Sequence, residues 1–246
     1  MREHGGRVAL ITGASRGVGA SAAVKLAERG VTPVINYRSK AARAEAVAEH
    51  VRARGIDAMT AQADLVCEVD VAAMLDRVLE RFRRLDFLVL NASGGLERDR
   101  PADYAWRLNM TAQVRAVDLA LPLMGAGARI VFVTSHPAHF YPCGAMAQLR
   151  SYEPVAASKH AGERALQDRI PELAARGVSL VVVSGDLIED TITAKLLERE
   201  HPGLIEGRRA TLGSLLTVEA FAEAVVSAAL DPQLESGATV LVGDHA

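Results

Sequence analysis

Thr12-Gly13-Ala14-Ser15-Arg16-Gly17-Val18-Gly19 places three glycines directly after the apolar run Val8-Ala9-Leu10-Ile11. Glycine permits a tight turn there and lets backbone N–H groups approach a phosphate at the positive start of a helix. With an apolar run before it and a helical stretch after it, this turn reads as a pyrophosphate cradle rather than a plain connection. Further along, Tyr152 precedes Lys159 by seven positions, which at ~3.6 residues per turn brings both to nearly the same face of a helix. Pro154 fits a helix that begins there, because proline is tolerated in the first turn. Two other groupings carry less. His136-x-x-His139 with Cys143 lacks a fourth metal ligand, so no metal site is expected. Ser135 and His136 are adjacent, and neighbours in a strand point to opposite faces, which is poor geometry for a hydrolase pair.

The elements that must position these residues alternate along the chain. Short aliphatic runs at 8–12, 32–37, 58–63, 87–91, 129–134, 180–184 and 239–242 are apolar nearly throughout, as strands covered on both faces are. Helical stretches lie between them near 18–29, 40–54, 69–83, 102–121, 153–176 and 217–230. Pro171 should interrupt the fifth of these after Ile170. The order predicts an α/β fold, a Rossmann-type doubly wound parallel sheet of about seven strands, as a single domain over 1–246. Residues 185–216 carry no clear element. They follow a strand's carboxyl end, where such sheets bind ligands, so 186–212 is expected to be a mobile lid over the substrate.

Bulk properties narrow the partners. A net charge of −2 over 246 residues gives no electrostatic footprint for nucleic acid or an anionic membrane. No apolar stretch approaches the ~20 residues of a membrane helix, and none resembles a secretory signal. Two separated cysteines, Cys67 and Cys143, fit free thiols in a cytoplasmic protein.

The glycines are spaced Gly-x-x-x-Gly-x-Gly, and here the sequence resembles the short-chain dehydrogenase/reductase family, nearly end to end. Asp64-Leu65 after the third strand is similar to that family's adenine contact. Asn91-Ala92-Ser93-Gly94 is similar to its Asn-Ala-Gly turn, with Ser93 in place of the usual glycine. Asn109 sits where the family keeps a helix-embedded asparagine, Ser135 where it keeps its active-site serine, and Lys159 where a lysine holds the nicotinamide ribose. The resemblance implies a nicotinamide cofactor held by Gly13, Ser15, Arg16, Val18, Gly19, Arg38, Asp64, Leu65, Asn91, Ala92, Lys159, Gly185 and Ile188. It also implies a homotetramer or homodimer packed through the helices near 102–121 and 153–176. The second strand ends Val34-Ile35-Asn36-Tyr37-Arg38 with no carboxylate to bond a ribose 2′-hydroxyl. Arg16 and Arg38 flank the place of a 2′-phosphate, so NADPH is expected over NADH.

One departure controls the chemistry. The family's signature is Tyr-x-x-x-Lys, yet four positions before Lys159 stands Val155, which has no proton to give. Tyr152 would stand about 4.5 Å nearer the helix start than a residue at 155. In conjugate reduction hydride goes to the β-carbon and charge develops on an oxygen two bonds away, so a displaced donor suits a displaced oxygen. Tyr-x6-Lys is the spacing of the family's NADPH-dependent enoyl-acyl-carrier-protein reductases, and Val183-Ser184-Gly185-Asp186 is similar to their Ser-Gly-Gly. The expected catalytic set is therefore Tyr152, Lys159, Ser135 and Asn109, acting on a small-molecule or acyl-thioester substrate lined by 93–98, 136–152 and 186–212. Against this, 16 residues separate Ser135 from Tyr152, more than such reductases have. A carbonyl reductase using Tyr141, His136 or His139, and a silent NADPH-binding scaffold, remain as alternatives.

Overall fold

The computed structural model describes residues 6–143 and 149–243. Residues 144–148 of the inserted segment, and both ends of the expected 1–246 domain, lie outside the described residues. Strands β1 (Val8–Ile11), β2 (Thr32–Tyr37), β3 (Met59–Gln62), β4 (Leu85–Leu90), β5 (Met124–Ser135), β6 (Ser179–Gly185) and β7 (Thr239–Val242) form one sheet. Its order is β3-β2-β1-β4-β5-β6-β7, with every pairing parallel. This is the doubly wound sheet the alternating sequence predicts.

The central strands are largely apolar because consecutive side chains enter different cores. Leu10, Ile130, Phe132, Leu180 and Val182 pack on one face with α3 (Glu68–Phe82), α5 (Ala112–Ala120) and part of α7 (Glu153–Gln167). Ile11, Val131, Val133, Val181 and Val183 pack on the other with α1 (Gly17–Glu28), α2 (Ala41–Arg52) and α11 (Val218–Leu230). β5 and β6 are packed on both faces, and their carboxyl ends carry Ser135 and Gly185.

Three long elements differ from the expected ranges. The helix expected near 102–121 is composite: α4 (Tyr104–Trp106), a π-helical turn over Arg107–Thr111, then α5. The stretch 153–176 divides into α7 and α8 (Ile170–Ala175), so the break falls before Ile170 rather than after it. Pro171 stands in the first turn of α8, where its missing N–H leaves no helical bond unmade. Finally, 186–212 is helical in two pieces, α9 (Ile192–Glu200) and α10 (Leu204–Leu212). Thr191 caps α9 by accepting from the Ala194 N–H. Helix α10 buries no residue fully, and only Leu204, Ile205 and Leu212 pack, partly buried, against a small core, so its apolar signal is weak.

Candidate active site

The glycine turn is built by polar residues that stitch it to its neighbours. The Thr12 hydroxyl donates to the Val89 carbonyl and accepts from the N–H groups of Asn91 and Ala92. The Asn91 amide donates to the Thr12 carbonyl at 2.9 Å. Asn36, buried at the end of β2, accepts from the Gly13 N–H and donates to the carbonyls of Ala61 and Ala63. Three strands thereby fix the turn. Gly13 adopts φ +64°, and a Cβ on it would stand 3.1 Å from Ala92, so only glycine lets the two turns meet. Helix α1 then starts without a side-chain cap, unlike α9 and α11, which threonines close. Its first N–H groups remain available to an anion.

A cavity of about 580 Å³ runs from this turn across the carboxyl ends of the strands. It gathers most of the sequence-predicted residues: Gly13, Ser15, Arg16, Val18, Arg38, Asp64, Leu65, Asn91, Ala92, Ser135, Tyr152, Lys159 and Ile188. Gly19 and Gly185 are not among its lining residues. A Cβ on Gly19 would stand 2.6 Å from the Asn91 amide, and one on Gly185 would stand 2.4 Å from the Phe221 ring. Both glycines permit close packing behind the wall. A larger open groove of about 760 Å³, between α1, α2 and the approach to α11, lies away from Tyr152 and Lys159.

At the end beside the glycine turn the cavity is cationic. Arg16, Arg38, Lys40 and Arg43 all line it. The Arg16 guanidinium loses its proton more readily than usual, chiefly through burial and then through the charges of Arg43 and Arg38, with Glu97 opposing. Arg38 donates to the Tyr104 hydroxyl at 2.6 Å, and Arg100 lies over the same ring, 5.0 Å from its centre. Arg43, Tyr104 and Asn36 escape a sequence reading of the site. The only signal for Asn36 is a polar residue inside an otherwise apolar run.

At the other end Tyr152 stands immediately before α7, 5% exposed, with its hydroxyl 2.9 Å from Ser135 Oγ. Pro154 in the first turn, as the sequence implies, lets the helix begin there. Burial pushes the phenol up, the Ser135 hydrogen bond pulls it down, and the charge of Asp186 pushes it up again. It therefore holds its proton at neutral pH and is poised to donate. Lys159 is buried on the same helix and makes no hydrogen bond to a described residue. Burial brings its ammonium down to about 8, against the opposing pull of Glu163.

Asn109 does not line the cavity. It sits in the π-helical turn, where its amide donates to the Gly94 carbonyl and to Ser158 Oγ, and its carbonyl oxygen accepts from the Gly94 N–H. A Cβ on Gly162 would stand 2.4 Å from the Asn109 backbone oxygen, so α7 and the π turn touch backbone to backbone.

The histidines of the inserted segment point elsewhere. His136 Nδ1 is 2.9 Å from Ser184 Oγ, and His139 Nδ1 is 2.6 Å from Glu163 Oε1. Tyr141 donates to Glu153. Among the described residues no three His, Cys, Asp or Glu side chains converge on a point that could hold a metal ion.

Residues 186–197 of the expected lid contribute Asp186–Ile188, Asp190–Thr193 and Lys195–Leu197 to the cavity wall, whereas 198–212 do not reach it. Leu187, Ala194 and Leu197 pack with Tyr152 and Val155 in a small separate core. Ion pairs Arg208–Asp186 and Arg209–Glu189, with Ser151 against His201, tie α10 and the end of α9 to the rest.

The cavity fits a dinucleotide. An uncapped helix start, a glycine whose Cβ would close the turn, and a buried ammonium with no hydrogen bond to a described residue are the parts such a ligand needs. Residues 7–201 match the short chain dehydrogenase family, and the chain belongs to that family. It is 32% identical over 189 residues to 1-cyclohexenylcarbonyl-CoA reductase of Streptomyces collinus, covering 74% of this chain and 65% of that protein. It is 35% identical over 138 residues to hydroxynaphthalene reductase arp2 of Aspergillus fumigatus, covering 53% and 50%. The chain thus spans about half to two thirds of the length of these curated relatives. The angucycline C-6 ketoreductase LanV, solved with bound NADP, superposes with a TM-score of 0.79 at 28% identity, covering 96% of this chain and 93% of that one. Among the described residues no helix is long and apolar enough to cross a membrane.

Proposed function

We propose that the chain is an NADPH-dependent reductase that delivers hydride to a C=C bond conjugated to a carbonyl, as in an enoyl thioester, with Tyr152 acting at the carbonyl oxygen. The observation that carries this reading is the 2.9 Å contact between Tyr152 and Ser135, made from the helix start while Val155 occupies the usual place of the tyrosine. The S. collinus relative, by its name a reductase of a cyclohexenylcarbonyl thioester, supports it.

When bound, the reduced nicotinamide supplies the hydride. The chain's residues do the rest. Uncapped N–H groups at the start of α1 receive the pyrophosphate, and Arg16, Arg38 and Arg43 receive the 2′-phosphate. LanV with bound NADP supports this choice of dinucleotide. Lys159 holds the ribose hydroxyls next to the reacting face. Hydride addition at the β-carbon would leave negative charge on the carbonyl oxygen. The Tyr152 hydroxyl would donate to that oxygen while accepting from Ser135 Oγ, so the developing charge meets a fixed donor. Leu96, Leu187 and Leu197 line the cavity beside it.

Reduction of a ketone is the second reading. The converging hydroxyls of Ser135 and Tyr152 would also serve a carbonyl whose carbon takes the hydride, and LanV is a ketoreductase. NADPH oxidation with crotonyl- against acetoacetyl-thioesters separates the two. Turnover of the crotonyl substrate alone supports the first reading, and of the acetoacetyl substrate alone the second. Silence across a broad panel favours a binding scaffold. A cytoplasmic homo-oligomer, assembled through α4, α5, α7 and α8, is part of the same reading.

A further inference from the structure

Beneath Lys159 lies a second buried charge that the reaction as described does not use. Glu163 follows Lys159 by one helical turn on α7, so the two share a face. It is 3% exposed. Its Oε1 accepts from His139 at 2.6 Å and from the Gln167 amide at 3.3 Å, while Oε2 is buried without a hydrogen bond. A carboxylate is kept in such a place only by compensation from nearby positive charge or donors. His139, from α6 (His136–His139), supplies one donor and retains partial access to solvent.

We infer that Glu163, oriented by His139, is a positioning residue that keeps Lys159 charged so that it can hold the ribose. This rests on the reading of Lys159 as a cofactor-holding residue. The surroundings leave Glu163 alone in this role. Glu163 is the one charge acting on Lys159 among the described residues. On α7 itself, His160 is engaged with the Ala138 carbonyl, Arg164 with Gln167, and Glu153 with Tyr141. From α6, His136 faces Ser184. From α5, Arg115 bonds the Leu65 carbonyl and Asp118 pairs with Arg169. Across the cavity Asp186 is paired with Arg208. Burial has already brought Lys159 down to about 8, so a small loss of support would discharge it near neutrality.

The chain has four lysines, Lys25, Lys40, Lys159 and Lys195, so lysine ε-13C NMR of the full protein can follow each one, with Lys159→Arg to assign its signal. Glu163→Gln should lower the Lys159 midpoint by about 1 pH unit. NADPH affinity, measured by fluorescence, should then be about five-fold weaker at pH 8, following the charged fraction. A folded Glu163→Gln variant with an unmoved midpoint overturns the inference. Should that variant fail to fold, His139 decides. His139→Leu should lower the midpoint and His139→Asn, which keeps a donor near the Nδ1 position, should restore it; equal midpoints in the two overturn it. A shifted midpoint with no NADPH affinity at any pH would reject the cofactor reading of Lys159 and leave the charge pair standing.

Discussion

The two ends of the cavity are made by different means. The dinucleotide end is a backbone structure, in which Thr12, Asn36 and Asn91 hydrogen-bond across neighbouring strands and hold the glycine turn in one shape. The substrate end is a side-chain structure. Tyr152, Ser135 and Asp186 meet across three separate segments, and α10 is held beside them by ion pairs and by the partly buried Leu204, Ile205 and Leu212. Backbone-built sites read clearly in sequence, because glycines and strand ends leave fixed spacings. Sites assembled by side chains from distant segments leave none. Such a division lets one cofactor end serve many chemistries.

Four experiments would break or sharpen that contrast. Tyr152→Phe should cut turnover about 10²- to 10⁴-fold, the usual contribution of a positioned proton donor, with NADPH binding intact. Wild-type rates in that variant would remove Tyr152 from the chemistry. Arg38→Asp should weaken NADPH about 10- to 100-fold in a binding titration, since a hydrogen bond to a charged group is worth about 1.5–3 kcal/mol. NADH should lose far less, and unchanged NADPH affinity would sink the assignment of the cationic end. Arg208→Ala should leave Asp186 buried without its partner and loosen α10. Raised KM with faster amide exchange across 192–212, and NADPH affinity within about three-fold of wild type, would confine the effect to the substrate end.

The smallest effect concerns stability. Lys159 is about 8 in the fold against 10.5 when exposed, so the folded chain binds fewer protons between those values than the unfolded one. Its buried charge therefore destabilises the fold below about pH 8, and the penalty fades as pH rises toward 10.5. Lys159→Met should abolish turnover yet raise Tm at pH 7, with a smaller gain at pH 9.5. A gain that does not shrink with pH would show that the lysine's charge is not what costs stability.

The sheet, its order and the glycine turn were legible because apolar runs and glycines obey short-range rules. Tyr152 was legible through its spacing to Lys159 and the proline beside it. Several features that stayed hidden share one cause: each depends on a partner far away in the chain. Asn36 stitches β2 to β3, Arg43 joins Arg16 only through the fold, and Glu163 finds His139 across 24 positions. The helices of 186–212 were hidden because α9 buries only two residues and α10 none. Pro171 signalled a break, but proline fits the first turn so well that the break moved ahead of Ile170.

Gly162 has a further consequence, for how this protein can diverge. The helix that carries Tyr152 and Lys159 rests on the Asn109 carbonyl through bare backbone, without an intervening side chain. Exchanging residues in the neighbouring cores therefore has little leverage on where those two groups stand. Residues lining the rest of the Tyr152 end of the cavity can change with less effect on where α7 stands. Position 162 itself is denied that freedom, because any larger residue would wedge the two helices apart.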